Sequence, residues 1–266
     1  MNINEIENTI IPFLESKNNY SVLINLFQSQ KTKGHAFELY FAYSMEHNGI
    51  ELEYERKARE DKTVDFYCAY NGNEIWFELV SPDMNQALKD NIEQQLKDTE
   101  NDGVSHYEVL LTNDHNNPNY NCDAQLIKLQ EKILEKPNKF LSPTDTTFNI
   151  LVVDCSTALR AFDDDDFRNL TYGYAKNPAY QARFNGKRIE GLLENGFSKR
   201  GSKELQKNLS ALLCLEKVNL NPFNSKHAYI SCNPLLTDHY AKAIGCLSEI
   251  KPINASRYIK PIKPSI

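Results

Sequence analysis

The feature that most limits how this chain folds is a carboxylate set inside an otherwise apolar run. Glu78 interrupts Ile75-Trp76-Phe77-Glu78-Leu79-Val80. Such a run reads as a central strand buried on both faces. A charge held there is expensive unless something compensates it. Just upstream, Thr63 to Tyr70 alternates, with Val64, Phe66 and Cys68 on one face and Thr63, Asp65 and Tyr67 on the other. Asn71-Gly72-Asn73 joins the two runs as a hairpin turn. Antiparallel neighbours of this kind bring Asp65 and Glu78 within reach of each other. Two close carboxylates repel, and a divalent cation relieves the repulsion. Oxygen-only ligands favour magnesium or manganese over zinc.

A helix from about Ala36 to Asn48 precedes the strands, with Phe37, Phe41 and Met45 at four-residue spacing and Gly49 as its stop. Glu38 borders that apolar stripe; a helix packed against the hairpin would aim it at the same cation, and the alternative is a surface helix glutamate. Earlier, residues 4–16 and 20–30 read as short amphipathic helices. After the hairpin come a helix over 84–100, a strand over 106–112, a helix over 123–136 stopped by Pro137, and a buried strand over 148–154. Helices between the later strands predict parallel additions to one sheet. Residues 251–266 hold Pro252, Pro261 and Pro264 and read as extended.

The succession of Glu38 on a helix, Val64-Asp65-Phe66, a short hairpin and Phe77-Glu78-Leu79-Val80 resembles the core of the PD-(D/E)XK nuclease superfamily. The resemblance covers roughly residues 34–160. A fainter likeness to nuclease-like proteins of the same kind continues over 148–235, through Ile150 to Asp154, Glu190 to Leu193 and Asn233-Pro234. It implies an α/β fold: a restriction-endonuclease-like central mixed β-sheet flanked by helices, with a C-terminal extension. It divides the chain into a nuclease-like core with N-terminal helices, 1–165, and a basic region, 166–266, packed on it. It further implies Asp65 and Glu78 as ligands of Mg²⁺ or Mn²⁺, with Glu38 in support, and hydrolysis of DNA phosphodiester bonds in restriction or defence. A homodimer is compatible with it. The superfamily's lysine falls two residues after the second acid, and here that position is Val80. Lys136 and Lys132, one turn apart on the 123–136 helix, are the candidates to supply the missing charge, ahead of Lys89 or Lys97. The alternative is a catalytically inactive relative that binds nucleic acid or a protein partner.

Charge is unevenly distributed. Residues 1–166 hold 14 Lys/Arg against 30 Asp/Glu, and residues 167–266 hold 16 against 6. An acidic half that binds metal and a basic half that binds polyanion fit this split; so does mutual charge complementarity between packed halves. Within the basic half, Arg183, Lys187, Arg188, Lys199, Arg200 and Lys203 form the candidate phosphate-contacting surface. Tyr172, Tyr174, Tyr180 and Phe184 lie just before it, placed to stack on bases or to pack. Asp163 to Asp166 reads as a solvated acidic loop. The six cysteines stand singly, without zinc-ligand spacing, and read as reduced core residues. No apolar run reaches the length of a bilayer, and the polar start is unlike a signal peptide. The expectation is a cytoplasmic protein without membrane association.

Overall fold

The computed structural model describes residues 1–17, 19–59, 62–82, 86–99, 122–136, 139–156, 162–173, 190–224 and 226–261. The chain opens with a continuous helical stretch: α1 (Ile3–Glu5), a π-helical turn (Ile6–Ile10) and α2 (Ile11–Glu15). Then come α3 (Ser21–Gln30) and α4 (Lys33–His47). Thr32 caps α4, its side chain accepting from the His35 amide at 3.2 Å. Next are β1 (Glu53–Arg59), β2 (Lys62–Tyr70) and β3 (Asn73–Val80), then α5 (Gln86–Thr99), α6 (Cys122–Leu134) and β4 (Thr147–Asp154). The remainder comprises α7 (Asp164–Tyr172), α8 (Ser202–Asn208), β5 (Ala211–Leu215), β6 (Ala228–Cys232), α9 (Thr237–Glu249) and β7 (Arg257–Tyr258).

The seven strands form one mixed sheet in chain order, β1 to β7. β1–β2 and β2–β3 are antiparallel pairs, β3 to β5 run parallel, β6 is antiparallel to β5, and β7 is parallel to β6. The fold is therefore mixed α/β, a seven-stranded sheet flanked by helices. Residues read from the sequence as a C-terminal extension supply β5, β6 and β7, so they complete the sheet instead of resting on it. The strand expected over 106–112 lies outside the described residues. The tail read as extended contains a short 3-10 turn, Ile253–Ala255, before β7.

Period-two alternation sends side chains into two apolar layers. One layer holds Phe66, Cys68, Ile75, Phe77, Leu79, Ile150 and Leu213 beneath the N-terminal helices and α9. The other holds Tyr67, Trp76, Val80, Leu151, Val153 and Leu212 beneath α6, α7 and α8. Phe41 of α4 is a centre of the first layer, with ring centroids 5.4 Å from Phe66, 5.2 Å from Phe77 and 6.0 Å from Phe223. One sequence expectation fails here. Val64 packs in the second layer with Tyr67, not with Phe66 and Cys68, so the alternation of β2 breaks at Asp65. The stretch Asp163 to Asp166 is not a plain acidic loop either. Asp163 caps α7, and Asp166 returns the bond to the Asp163 amide.

Truncating a fully buried aromatic removes transfer energy and leaves a cavity. Phe41→Ala is expected to destabilise the fold by about 3–5 kcal/mol, read from the midpoint shift in urea unfolding.

Candidate functional site

The β2–β3 ladder runs from Tyr70↔Asn73 to Phe66↔Phe77 and stops there. The next pair would be Asp65 and Glu78. At that point the Asp65 carboxylate accepts the Leu79 amide at 2.6 Å, so a side chain takes the place of a ladder partner. This insertion accounts for the broken alternation at Val64. On the outer side, Glu55 of β1 adopts φ +51, between the register pairs Tyr54↔Phe66 and Arg56↔Val64. A left-handed non-glycine residue inside a strand marks local strain beside the opening. β3 stays paired with β4 through Glu78↔Leu151 and Val80↔Val153, so the Glu78 backbone is held firmly on that side.

Glu78 is completely buried. Two ammonium groups converge on one of its oxygens: Lys136 Nζ at 2.9 Å and Lys139 Nζ at 2.7 Å from Oε1. Its other oxygen, Oε2, is buried with no hydrogen-bond partner among the described residues. Lys139 also lies 3.8 Å from Asp65 Oδ1, so its ammonium bridges the two acids. Buried Leu129 and Ile133 seat α6 on the sheet, and buried Phe140 anchors the turn after it; the two lysines project from between these anchors.

Glu38 reaches the same cluster from α4. It accepts a hydrogen bond from the Tyr54 hydroxyl at 3.0 Å. Burial, then repulsion from Asp65 and Glu78, lifts its pKa to about 8, against the pull of the Tyr54 bond and Lys136. Asp65 is pushed up to about 6 by burial and the Glu78 charge, with Lys139 and the Leu79 amide opposing. Burial works against the Lys136 ammonium. The charge and hydrogen bond of Glu78 outweigh it, with Asp65 and Glu38 adding to them, and its pKa sits above the ordinary lysine value. The cluster thus holds three carboxylates and two ammonium groups, and the proton shared out to Glu38 makes up the difference. Among the described residues, no three His, Cys, Asp or Glu side chains are gathered into a ready-made metal site.

A second buried carboxylate braces the cluster. Asp154, at the exit of β4, is fully buried and has all its oxygens partnered: Lys33 Nζ at 2.7 Å, Ser81 Oγ at 2.9 Å and the Ser156 amide at 2.8 Å. Lys33 also donates to the Pro82 carbonyl at 2.9 Å. Lys33 opens α4, and Ser81 and Pro82 follow β3. The network therefore ties the Glu38 helix to the Glu78 strand.

The remaining candidates are placed as follows. Lys132 is exposed and pairs with Glu135 at 3.2 Å, away from Glu78. Helix periodicity explains why: Lys136 lies beyond the last helical residue, where the chain is free to turn inward. Lys97 is exposed on α5. The Lys89 side chain and Arg183, Lys187 and Arg188 lie outside the described residues, as do Tyr174, Tyr180 and Phe184. Tyr172 is buried and bonds the Cys232 carbonyl at 2.7 Å, so it packs and has no face to offer a base. Lys199, Arg200 and Lys203 are exposed or partly so beside Gly201. A Cβ on Gly201 would sit 2.7 Å from the Leu134 carbonyl. This basic turn therefore abuts the end of α6, two residues before Lys136.

Sequence reasoning missed Lys139, Asp154 and Tyr54. A signal existed for two of them. Asp154 ends an apolar strand much as Glu78 interrupts one, and Lys139 precedes the apolar anchor Phe140. Comparison with protein-family models, curated proteins and solved structures finds no match for this chain.

Glu38 binds a proton in the folded chain between its ordinary carboxylate value and about 8, where the unfolded chain has released it. Stability contributed this way falls as pH rises through that window, and Asp65 adds the same sign up to about 6. Thermal melts from pH 5 to 8.5 are expected to show this decline. Glu38→Gln should flatten it and gain about 1–2 kcal/mol at pH 8.

Proposed function

We propose that this protein is a metal-dependent nuclease that hydrolyses DNA phosphodiester bonds, in the setting of restriction or defence that its PD-(D/E)XK-like core implies. One observation carries the reading: Glu78 is wholly buried, beside Asp65, with Oε2 unpartnered. A fully buried carboxylate serving only the fold tends to have its oxygens satisfied, as those of Asp154 are. The residues present fit a hard divalent cation. The donors are oxygen-only, the acids repel one another, and an acceptor atom lacks a donor. Asp65 and Glu78 would hold Mg²⁺ or Mn²⁺, with Glu38 assisting. When bound, the ion would polarise the scissile phosphate and lower the pKa of an attacking water.

The chain's own groups would do the rest. Val80 is buried among Trp76 and Val153 and offers no charge. Lys136 stands in for the missing lysine, its ammonium held on Glu78 and directed toward charge that develops on the phosphate. Asp65 holds its position through the Leu79 amide. Lys199, Arg200 and Lys203 extend the positive surface from the end of α6 along a phosphate backbone.

A second reading has its own observation. The Lys139 ammonium already bridges Asp65 and Glu78. A chain whose acids are permanently neutralised this way would be a catalytically inactive nuclease fold that binds nucleic acid or a protein partner.

The test is supercoiled plasmid with Mg²⁺ or Mn²⁺. The wild-type chain is expected to nick it, and Asp65→Asn or Glu78→Gln to lose at least about 100-fold in rate. Absence of cleavage with retained DNA binding would favour the second reading. In binding titrations against salt, joint replacement of Lys199, Arg200 and Lys203 by Ala should reduce the log–log slope by about 2–3, near 0.9 per lost phosphate contact.

A further inference from the structure

We infer that Lys139 is a displaceable counter-ion: its ammonium holds the place between Asp65 and Glu78 that a divalent cation takes over, and is released toward the substrate's phosphate when the cation binds. The inference rests on the metal-binding reading above and assigns a role within that site.

The two lysines on Glu78 are not equivalent. Among the described residues, Lys136 pairs with Glu78 and with no other acid, at 2.9 Å. Lys139 touches both acids, at 2.7 Å from Glu78 and 3.8 Å from Asp65. A group lying between two carboxylates occupies the position a bridging cation needs. It also satisfies their repulsion in the same way, with one charge where the ion brings two. The ammonium leaves the job half done. Both lysines crowd Oε1, and Oε2 of a fully buried side chain keeps no partner. Removal of an unpaired buried acceptor is the gain available to an incoming cation.

Lys139 is also built to leave. It follows α6, its amide bonded to the Lys136 carbonyl at 3.3 Å, and its side chain is 29% exposed against 32% for Lys136, so solvent reaches both ammonium groups and their contacts to the acids alone set them apart. Phe140, fully buried, fixes the backbone, so the side chain can swing without moving the chain. A flexible four-carbon stem with a compact charge suits the exchange.

The experiment measures Mn²⁺ binding by calorimetry and by loss of free-ion paramagnetic resonance signal, in wild type, Lys139→Met and Lys136→Met, each checked for folding by circular dichroism. Lys139→Met is expected to bind Mn²⁺ at least 10-fold more tightly than wild type and by a clearly larger factor than Lys136→Met. Equal gains in the two variants, or no gain in Lys139→Met, would overturn the inference while leaving the metal reading standing. No binding in any of the three would remove both. A second measurement needs only the wild-type protein. Proton–nitrogen correlation of lysine NH₃⁺ groups should show one carboxylate-bound signal lost on adding Mg²⁺ and another retained. Retention of both with Mg²⁺ bound would overturn the exchange.

Discussion

The arrangement depends on how one buried carboxylate is compensated. Glu78 lies at full burial where β3 is still paired with β4 and has just left its ladder with β2, and an isolated charge there would cost several kcal/mol. The fold answers with two lysines from beyond α6, one of which also meets the opposing charge of Asp65, itself tied to the Leu79 amide. Each element nearby is set to that task. α6 is seated by Leu129 and Ile133 so that its end overhangs Glu78, and α4 is pinned by Lys33 so that Glu38 approaches from the other layer.

Comparison among buried acids of the same chain shows what is unusual. Glu46 is deeply buried and accepts from the Tyr20 hydroxyl and the Leu52 amide on one oxygen, with Lys17 3.6 Å from the other. Asp154 is likewise complete. Those two acids are structural: their partners close off every lone pair that matters. Glu78 instead doubles its partners on one oxygen and keeps none on the other. Glu216, paired with His227 through Oε2, also has a buried Oε1 without a partner among the described residues; what sets Glu78 apart is its complete burial and the second acid beside it, and an unsatisfied atom there costs about 1–3 kcal/mol.

Much of this was legible from residues alone. The apolar run around Glu78, the turn at Asn71-Gly72-Asn73 and the stripe through Phe37 and Phe41 each fixed an element, because hydrophobic period and turn chemistry are local properties. The approach of Glu38, Asp65, Glu78 and Lys136 followed from their order along those elements. What sequence could not deliver were facts of tertiary origin. The alternation of β2 broke at Asp65 because a side chain replaced a backbone acceptor, which no period reveals. Lys132 and Lys136 shared a helical face on paper, but the helix ended before Lys136, and only the freed turn bent inward. Lys139 lay past a proline, outside any periodic frame. The N-cap at Asp163 was readable in principle from Asp166 three residues on, although the run of four acids disguised it as a loop.

The order of the sheet has a last consequence. Because the strands follow one another exactly as they are synthesised, each newly emerged strand finds its partner already waiting, with no insertion between existing neighbours. From β4 to β6, however, the growing border is an apolar one, as the full burial of these strands attests. β7 ends that exposure. It is two residues long and only partly covered, and it offers too little ladder for another chain to grip. Among the described residues β7 therefore closes this side of the sheet, and a variant without it would present a sticky margin in its place.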